Sequence, residues 1–586
     1  MRPKKLSEQL RRSRACDRCS AATIRRSVLA TGVCALLTAA WVANRAAPSA
    51  SAAAPTSSAG AASATIPVAA RAVDESLHRE LHAGVSPAEF APRTDDEAFV
   101  RRAYLDLVGE WPSAAELTAF VFDPAPNKRA ELVDRLLDDP RYGLNWGRYW
   151  RDVVLYRRAE DRALLSSAAA VKFFAGRLHA VAPWSEFARE IVTATGAVTE
   201  NGATILFVAQ MADPNEVAAE VSRIFCGVQI SCAQCHDHPT DRWKREQFHE
   251  LAAFFPRVNA RPILVNGMQR GIEIVGRDTG PRFGGQNANN PRFRPIEHYM
   301  PDLKNPAAQG TLMTPVFFAT GDKLEAGATD ARRRATLAQR LTSRENPWFA
   351  RAVVNRLWSE LVGEGFYEPV DDLGPERDCT APQTLDLLCE QFIAGDYDLK
   401  RLFRTILATE AYQRESRPRR NAEQTPMTAN VAHRLRGDPL YDALLGALGM
   451  PQDDEAAAVG AAAVNPRAML GSPRAQFNQA FGYDPSVRRD EIAGSIPQSL
   501  VLMNSPNVAQ GLNGANPRSA LGKLLSADRT NESVVVELYL RCLAREPNDR
   551  ELAACLDYVA AAPNRTEGFE DVLWSLVNST EFLYRR

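Results

Sequence analysis

Between Asp95 and about Phe255 the apolar positions recur with a period near 3.6, the signature of amphipathic helices. Leu117, Phe120 and Val121 share one face of a segment that opens after Pro112. Ser113 with Glu116 three residues later supplies a capping box at its start. Leu132, Leu136 and Leu137 carry the same period onward, and Trp146 and Trp150, one turn apart, predict a buried face. Residues 256–325 break the pattern. They are rich in Gly, Pro and Asn, and the alternation Ile272-Glu273-Ile274-Val275 predicts a small hairpin, Pro262 to Val275, inside a long irregular connection. Helical periodicity resumes at Arg332. Asn346 reads as a cap with Pro347 in the first turn, and Arg351 and Asn355, four apart, are expected to form a polar network beside it. With an irregular gap near 452–485 the pattern then reaches the C-terminus. The fold class predicted is mainly α: multi-helix domains with capped short helices, plus an irregular loop and β-hairpin region in the middle.

A spacing recurs inside this layout. Tyr104-Leu105, Pro112 and Glu116-Leu117 reappear 435 positions later as Tyr539-Leu540, Pro547 and Glu551-Leu552, with Asn548 and Glu551 as the cap. Leu136-Leu137 with Tyr142 matches Leu576-Val577 with Phe582, and Ile406-Leu407 with Tyr412 is a third, partial match. This predicts a duplicated helical unit and says nothing about activity.

Charge changes the picture at the N-terminus. The net charge is −1 over 586 residues, but residues 1–50 carry ten Lys/Arg against Glu8 and Asp17. The remainder is mildly acidic without a basic stripe, which argues against nucleic acid as a partner. After Arg25-Arg26 come eighteen uncharged residues, Ser27 to Asn44, the form of an export signal or an uncleaved anchor. Positive-inside orientation puts everything after Arg45 outside the cytoplasm. Ala50-Ser51-Ala52 is a cleavage candidate, and Arg25-Arg26-Ser27-Val28-Leu29 also resembles a twin-arginine signal. The expected divisions are a signal peptide or membrane anchor at 1–45, an Ala/Ser/Pro-rich linker at 46–75, a helical domain at 76–258, the irregular connection at 259–328 and a second helical domain at 329–586.

The chemistry concentrates in Cys232-Ala233-Gln234-Cys235-His236. Two thiols three positions apart can form thioethers to both vinyl groups of a c-type haem, and the adjacent imidazole becomes an axial ligand. Three other readings use the same residues. Cys232 and Cys235 can pair as a disulfide in an oxidising compartment. Cys232, Cys235, His236 and His238, with Asp237 or His249, can hold a zinc-like ion. The cluster can also be a reduced, purely structural feature. Under the haem reading Met211, His249, Met268, Met300 and Met313 are candidates for the second axial position, and a five-coordinate iron is equally allowed. Cys226 is either a redox partner or, more in keeping with its type, a small buried hydrophobe. Cys16 and Cys19 lack a following histidine, while Cys379, Cys389, Cys542 and Cys555 stand at helix-like core positions. There is no Ser-His-Asp order, phosphate loop or His-Glu-x-x-His, so the sequence leaves open whether the chain is an enzyme.

The run Cys232 to Pro239, with Trp243 and Leu251-Ala252-Ala253-Phe254-Phe255, resembles the cytochrome-associated domain of unknown function found in large numbers in planctomycetes. Arg101-Arg102-Ala103-Tyr104-Leu105-Asp106-Leu107 and Tyr142-Gly143 with Trp146 and Trp150 fit that family's opening. The second half is similar to its usual companion domain through Asn346 to Arg351, Val354 to Trp358, Glu368-Pro369-Val370-Asp371-Asp372 and Leu502 to Pro506. The resemblance implies an extracytoplasmic protein of a family often fused to a separate cytochrome-c-like module. Such a module or another envelope component is then the expected partner, with the membrane reached through the N-terminal segment if uncleaved. Three departures stand out: no separate N-terminal haem module, Thr240 in place of the usual Phe, and Cys226 in place of an aliphatic residue. Two readings follow, an electron-transfer protein with one covalent haem and a non-redox envelope scaffold. An enzyme using a metal at His236, His238 and Asp237 is a weaker third.

Overall fold

The structure is a computed structural model that describes residues 58–280, 295–305, 307–325, 327–419, 424–451 and 472–586. The expected export signal and its cleavage site, with Cys16, Cys19 and Cys34, lie outside these residues. Among them the chain is mainly α, and its strands are short and scattered. No described helix is long and apolar enough to cross a membrane.

Local chemistry accounts for many helix boundaries. Asp95 accepts from Ala98 N at the start of Asp96–Val108, and Gly109, at φ 75°, ends it. Ser113 and Glu116 form the reciprocal capping box that opens Ala114–Val121. Asn548 and Glu551 form the matching box at the start of Asp549–Ala561. A smaller motif occurs three times: a helix ends, a capping side chain follows, and the aromatic three positions later is buried. The pairs are Asp139 with Tyr142, Thr409 with Tyr412, and Ser579 with Phe582. The first and last copies of the larger repeat touch. Arg101 donates to Leu543 O at 3.1 Å and pairs with Glu581 at 3.0 Å, while Trp111 packs on Phe582.

Two regions depart from expectation. Much of the linker predicted at 46–75 is helix, Ser58–Leu77, with Ala70, Val73 and Leu77 buried against Pro382–Ala394 and Leu399–Ala408. Alanine has the highest helix propensity, so a composition read as a spacer served a helix equally well. The hairpin is longer than Pro262 to Val275. Val258–Val265 pairs antiparallel with Met268–Gly276 across Asn266 and Gly267, both at positive φ, and Gly196–Ala197 adds a third strand. Ile272 and Ile274 are buried on one face, whereas Glu273 turns outward to Arg261.

The packing does not divide where the sequence changes character. One core gathers apolar residues from Val73 to Met427, and Ala544 as well, across the division expected at 329; a second runs from Leu435 to Phe582. Leu105, on Asp96–Val108, belongs to the second core although its helix neighbours belong to the first. Buried ion pairs join the two. Arg148 and Arg151, on Pro140–Leu155, meet Asp442 and Asp438 on Gly437–Leu448, each at 2.5 Å.

Candidate functional site

The cluster stands at the end of a tightly held segment. Pro214–Val221 gives way to a π-turn, Ser222–Cys226, and Gly227 at φ 66° turns the chain out of it. A Cβ at position 227 would meet Leu373 at 2.9 Å and Ala352 at 3.3 Å, so glycine permits this approach as well as the turn. Ser222 Oγ donates to Val228 O at 2.8 Å, and a short 3₁₀ turn, Ser231–Gln234, carries Cys232. Ala233 is fully buried and pins this turn, while Cys232 and Cys235 face solvent as free thiols and His236 is exposed beside them.

Hydrogen bonding separates the two histidines of the motif. His236 Nδ1 lies 2.7 Å from Asp237 O. A carbonyl can only accept, so Nδ1 carries a proton, and in the neutral ring Nε2 holds the lone pair. His238 is arranged in the opposite sense. Its Nδ1 accepts from Thr240 N at 3.3 Å, which leaves the proton on Nε2 in the neutral ring. The loop between is closed by His238 N donating to Trp243 O at 2.8 Å. Asp237 Oδ1 accepts from Arg245 N and Oδ2 pairs with Lys244 Nζ at 2.9 Å; these contacts hold its carboxyl below the usual range. Asp237 thus ties the loop to the start of Arg245–Ala252. Among the described residues, no three or more His, Cys, Asp and Glu side chains are gathered as a metal ion would need.

Beneath the turn lies a buried imidazole pair. His249 Nε2 donates to Gln234 O at 3.0 Å, and its Nδ1, left as acceptor, receives His298 Nε2 at 2.9 Å. Burial depresses both rings, His249 to about 4 and His298 to about 3, so each is neutral at physiological pH. With both nitrogens engaged, His249 supports the backbone of the motif and has no free lone pair to offer. Its partner His298 carries no motif of its own in the sequence, and 49 positions separate the two.

The second half of the chain holds the first from behind. Asp371 pairs with Arg223 at 3.0 Å and Arg356 at 3.4 Å, and accepts from Ser486 and from Gln229, three residues before Cys232. Leu373 N donates to Gly227 O at 2.7 Å, and Gly374 leaves no room for a Cβ beside Asp241. Trp243 packs between Phe318 and Trp348. Asp371, with Leu373 and Gly374 just after it, therefore braces the segments that flank the cluster.

The other singled-out residues fall into the core. Cys226 is fully buried and burial pushes its thiol up to about 12, which ends its candidacy as a redox partner. Cys389, Cys542 and Cys555 are buried as well, and Cys379 half-buried. Trp146 and Trp150 pack against Phe403 and Trp184. Arg351 and Asn355 form no common network: Arg351 reaches Asp386, and Asn355 bonds the loop from Phe366 to Val370. A hollow of about 290 Å³ between Asp74, His78, Phe90, Glu410 and Arg414 involves no residue of the cluster.

Residues 72–260 match the family described as PSCyt2, a protein of unknown function (DUF1549). Residues 333–559 match the family described as PSD1, a protein of unknown function (DUF1553). The two matches follow one another in a two-domain order. No curated protein and no solved structure matches the chain.

Proposed function

We propose that this chain is an exported cell-envelope protein that carries one c-type haem on Cys232 and Cys235, with His236 as axial ligand, and passes electrons. The observation that carries this reading is the tautomer of His236. A metal-binding imidazole characteristically donates its other N–H to a carbonyl or carboxylate, and the Asp237 carbonyl fills that role here. The donor set fits the group: two free, exposed thiols three residues apart, and an adjacent imidazole with Nε2 open. Each S–H adds across one vinyl double bond, so attachment needs no leaving group. The bound group supplies reversible one-electron chemistry at iron. The protein's part is to hold the turn rigid from below through Ala233, Gln234 and the His249–His298 pair. The name of the matched PSCyt2 family points the same way. Export rests on the basic, then charge-free N-terminus, and a separate cytochrome-like module or another envelope component is the expected electron partner.

The test is production of the full chain together with haem-attachment machinery. The native chain should retain haem after denaturation and show a c-type pyridine haemochrome. Cys232→Ser with Cys235→Ser should abolish retention. His236→Ala should impair attachment or change the iron spin state, whereas His238→Ala should leave both intact. A colourless, folded protein in which both histidines are needed to bind zinc would support the metal reading. A colourless protein with Cys232 and Cys235 bridged would support the scaffold reading.

A further inference from the structure

We infer that the hollow between Asp74, Phe90 and Glu410 binds a small organic cation, a protonated primary amine on a short apolar chain. This site stands apart from the cluster and does not depend on the haem reading. Its volume, about 290 Å³, lies at the lower end of the range for small-molecule sites. One wall is helical: Asp74 and Leu77, near the end of Ser58–Leu77, and His78 and His82 in the π-turn His78–His82 that continues it. Glu410 and Arg414 stand opposite, and Phe90 and Met427 close the sides. Leu77 and Met427 are buried and Phe90 is half-buried, so the floor offers apolar surface to a short carbon chain.

The polar groups with capacity to spare are acceptors. Asp74 Oδ1 accepts from Glu410 N at 2.9 Å, and among the described residues nothing donates to Oδ2. His82, 6 % exposed, spends Nε2 on Pro426 O at 3.1 Å. A carbonyl only accepts, so Nε2 carries the proton; burial keeps the ring neutral, and Nδ1 holds a lone pair with no described partner. The one guanidinium is already committed. Arg414 donates to Ala91 O at 3.1 Å and to Glu410 Oε2 at 2.7 Å, with its plane over Phe90. Two carboxylates therefore face one engaged arginine, and an anion placed here would meet uncompensated negative charge. A metal ion suits the site less than an ammonium group, since among the described residues no three ligand side chains converge. An ammonium brings three donors to these acceptors and lays its carbon chain on Leu77, Phe90 and Met427.

The experiment is calorimetric titration of the full chain with n-butylammonium at fixed ionic strength, beside n-butanol and butyrate as neutral and anionic probes of the same length. At pH 8 the amine should bind one to one, and at least about tenfold more tightly than either probe, the worth of hydrogen bonds to a charged group. Asp74→Asn keeps an acceptor for Glu410 N and should weaken the amine about tenfold. Glu75→Gln, which removes the same charge from the exposed neighbouring position, should leave the affinity unchanged. Burial pushes the Asp74 carboxyl up to about 7, and the ionisable groups around it are His78, His82, Glu410 and Arg414. A bound cation favours the ionised carboxylate, so affinity should fall about tenfold from pH 8 to pH 6, with protons released on binding. His78→Gln should keep that fall and Asp74→Asn should lose it. A native chain that takes up no amine would overturn the inference. So would butanol or butyrate binding as tightly, or equal weakening by Asp74→Asn and Glu75→Gln. If Asp74→Asn does not fold, the pH dependence of the native chain and of His78→Gln decides: a flat profile overturns the site.

Discussion

Arg223 and Cys232 stand nine positions apart and obey opposite rules. Arg223 is 3 % exposed and meets two carboxylates, Glu220 at 2.6 Å and Asp371 at 3.0 Å. Cys232, Cys235 and His236 are exposed, and among the described residues no hydrogen bond reaches either thiol or the Nε2 of His236. In the first region charge is taken out of water and matched, which fixes one packing of the two halves. In the second, reactive atoms are left in water on a turn whose backbone alone is held. Polarity at the Arg223–Asp371 hub serves the fold. Polarity on the turn is left over from the fold, and that surplus makes the turn the candidate site.

The largest effect should come from unpairing the hub. Asp371→Ala leaves Arg223 and Arg356 buried with one fewer anion, a change of about 3–5 kcal/mol in unfolding free energy. Denaturant titration measures it, and a loss under about 1 kcal/mol would show that the hub is dispensable. The cysteines provide the next contrast. In apo protein Cys232 and Cys235 should label at once with a thiol reagent, whereas Cys226, Cys389 and Cys542 should react at least about a hundredfold more slowly until the chain unfolds. Peptide mass mapping distinguishes them, and equal rates would place Cys226 at the surface.

Acidification probes the buried histidines. Burial holds His298 at about 3, with His249 and Arg333 beside it, and His433 well below the usual range, with Arg585, Arg489 and Arg436 around it. Both rings are neutral when folded but take up a proton near pH 6.5 when unfolded. Their contribution is complete above pH 6.5 and drains as pH falls toward the folded values. Carboxylates follow lower down. Glu581, buried but held at about 2 by Arg545 and Arg101, contributes fully above about pH 5 and loses its share as pH falls from there toward 2. His433→Gln should flatten the dependence of stability on pH between about 6.5 and 4; an unchanged slope would mean that the ring is not buried neutral. The smallest effect belongs to the loop. His238→Ala should change stability by no more than about 0.5 kcal/mol, since its ring makes one long contact at the surface.

What could be read in the sequence follows the range of the physics involved. Capping boxes are contacts over three positions, so Ser113 with Glu116 and Asn548 with Glu551 were legible in advance. So was the helical class, because apolar periodicity repeats in every element. The helix Ser58–Leu77 was missed because alanine suits both a spacer and a helix, and the burial of Val73 and Leu77 depends on partners more than 300 positions away. Cys232, Cys235 and His236 could be singled out because their spacing is local, and the structure exposes all three on one turn. His298 and the pairing of Arg223 with Asp371, 148 positions apart, were not, since no local pattern encodes a contact across the chain. The division into two cores near residue 430 was hidden for the same reason.

The central claim is that the exposed turn holds haem through two covalent bonds, and the mass of the denatured polypeptide tests it most directly. Full-length protein matured in the presence of haem-attachment machinery should, after complete denaturation, weigh one haem more than the apo chain. The added mass should map to the peptide containing Cys232 and Cys235, and should vanish when both are serine. A folded native chain that shows the apo mass under those conditions would contradict the account.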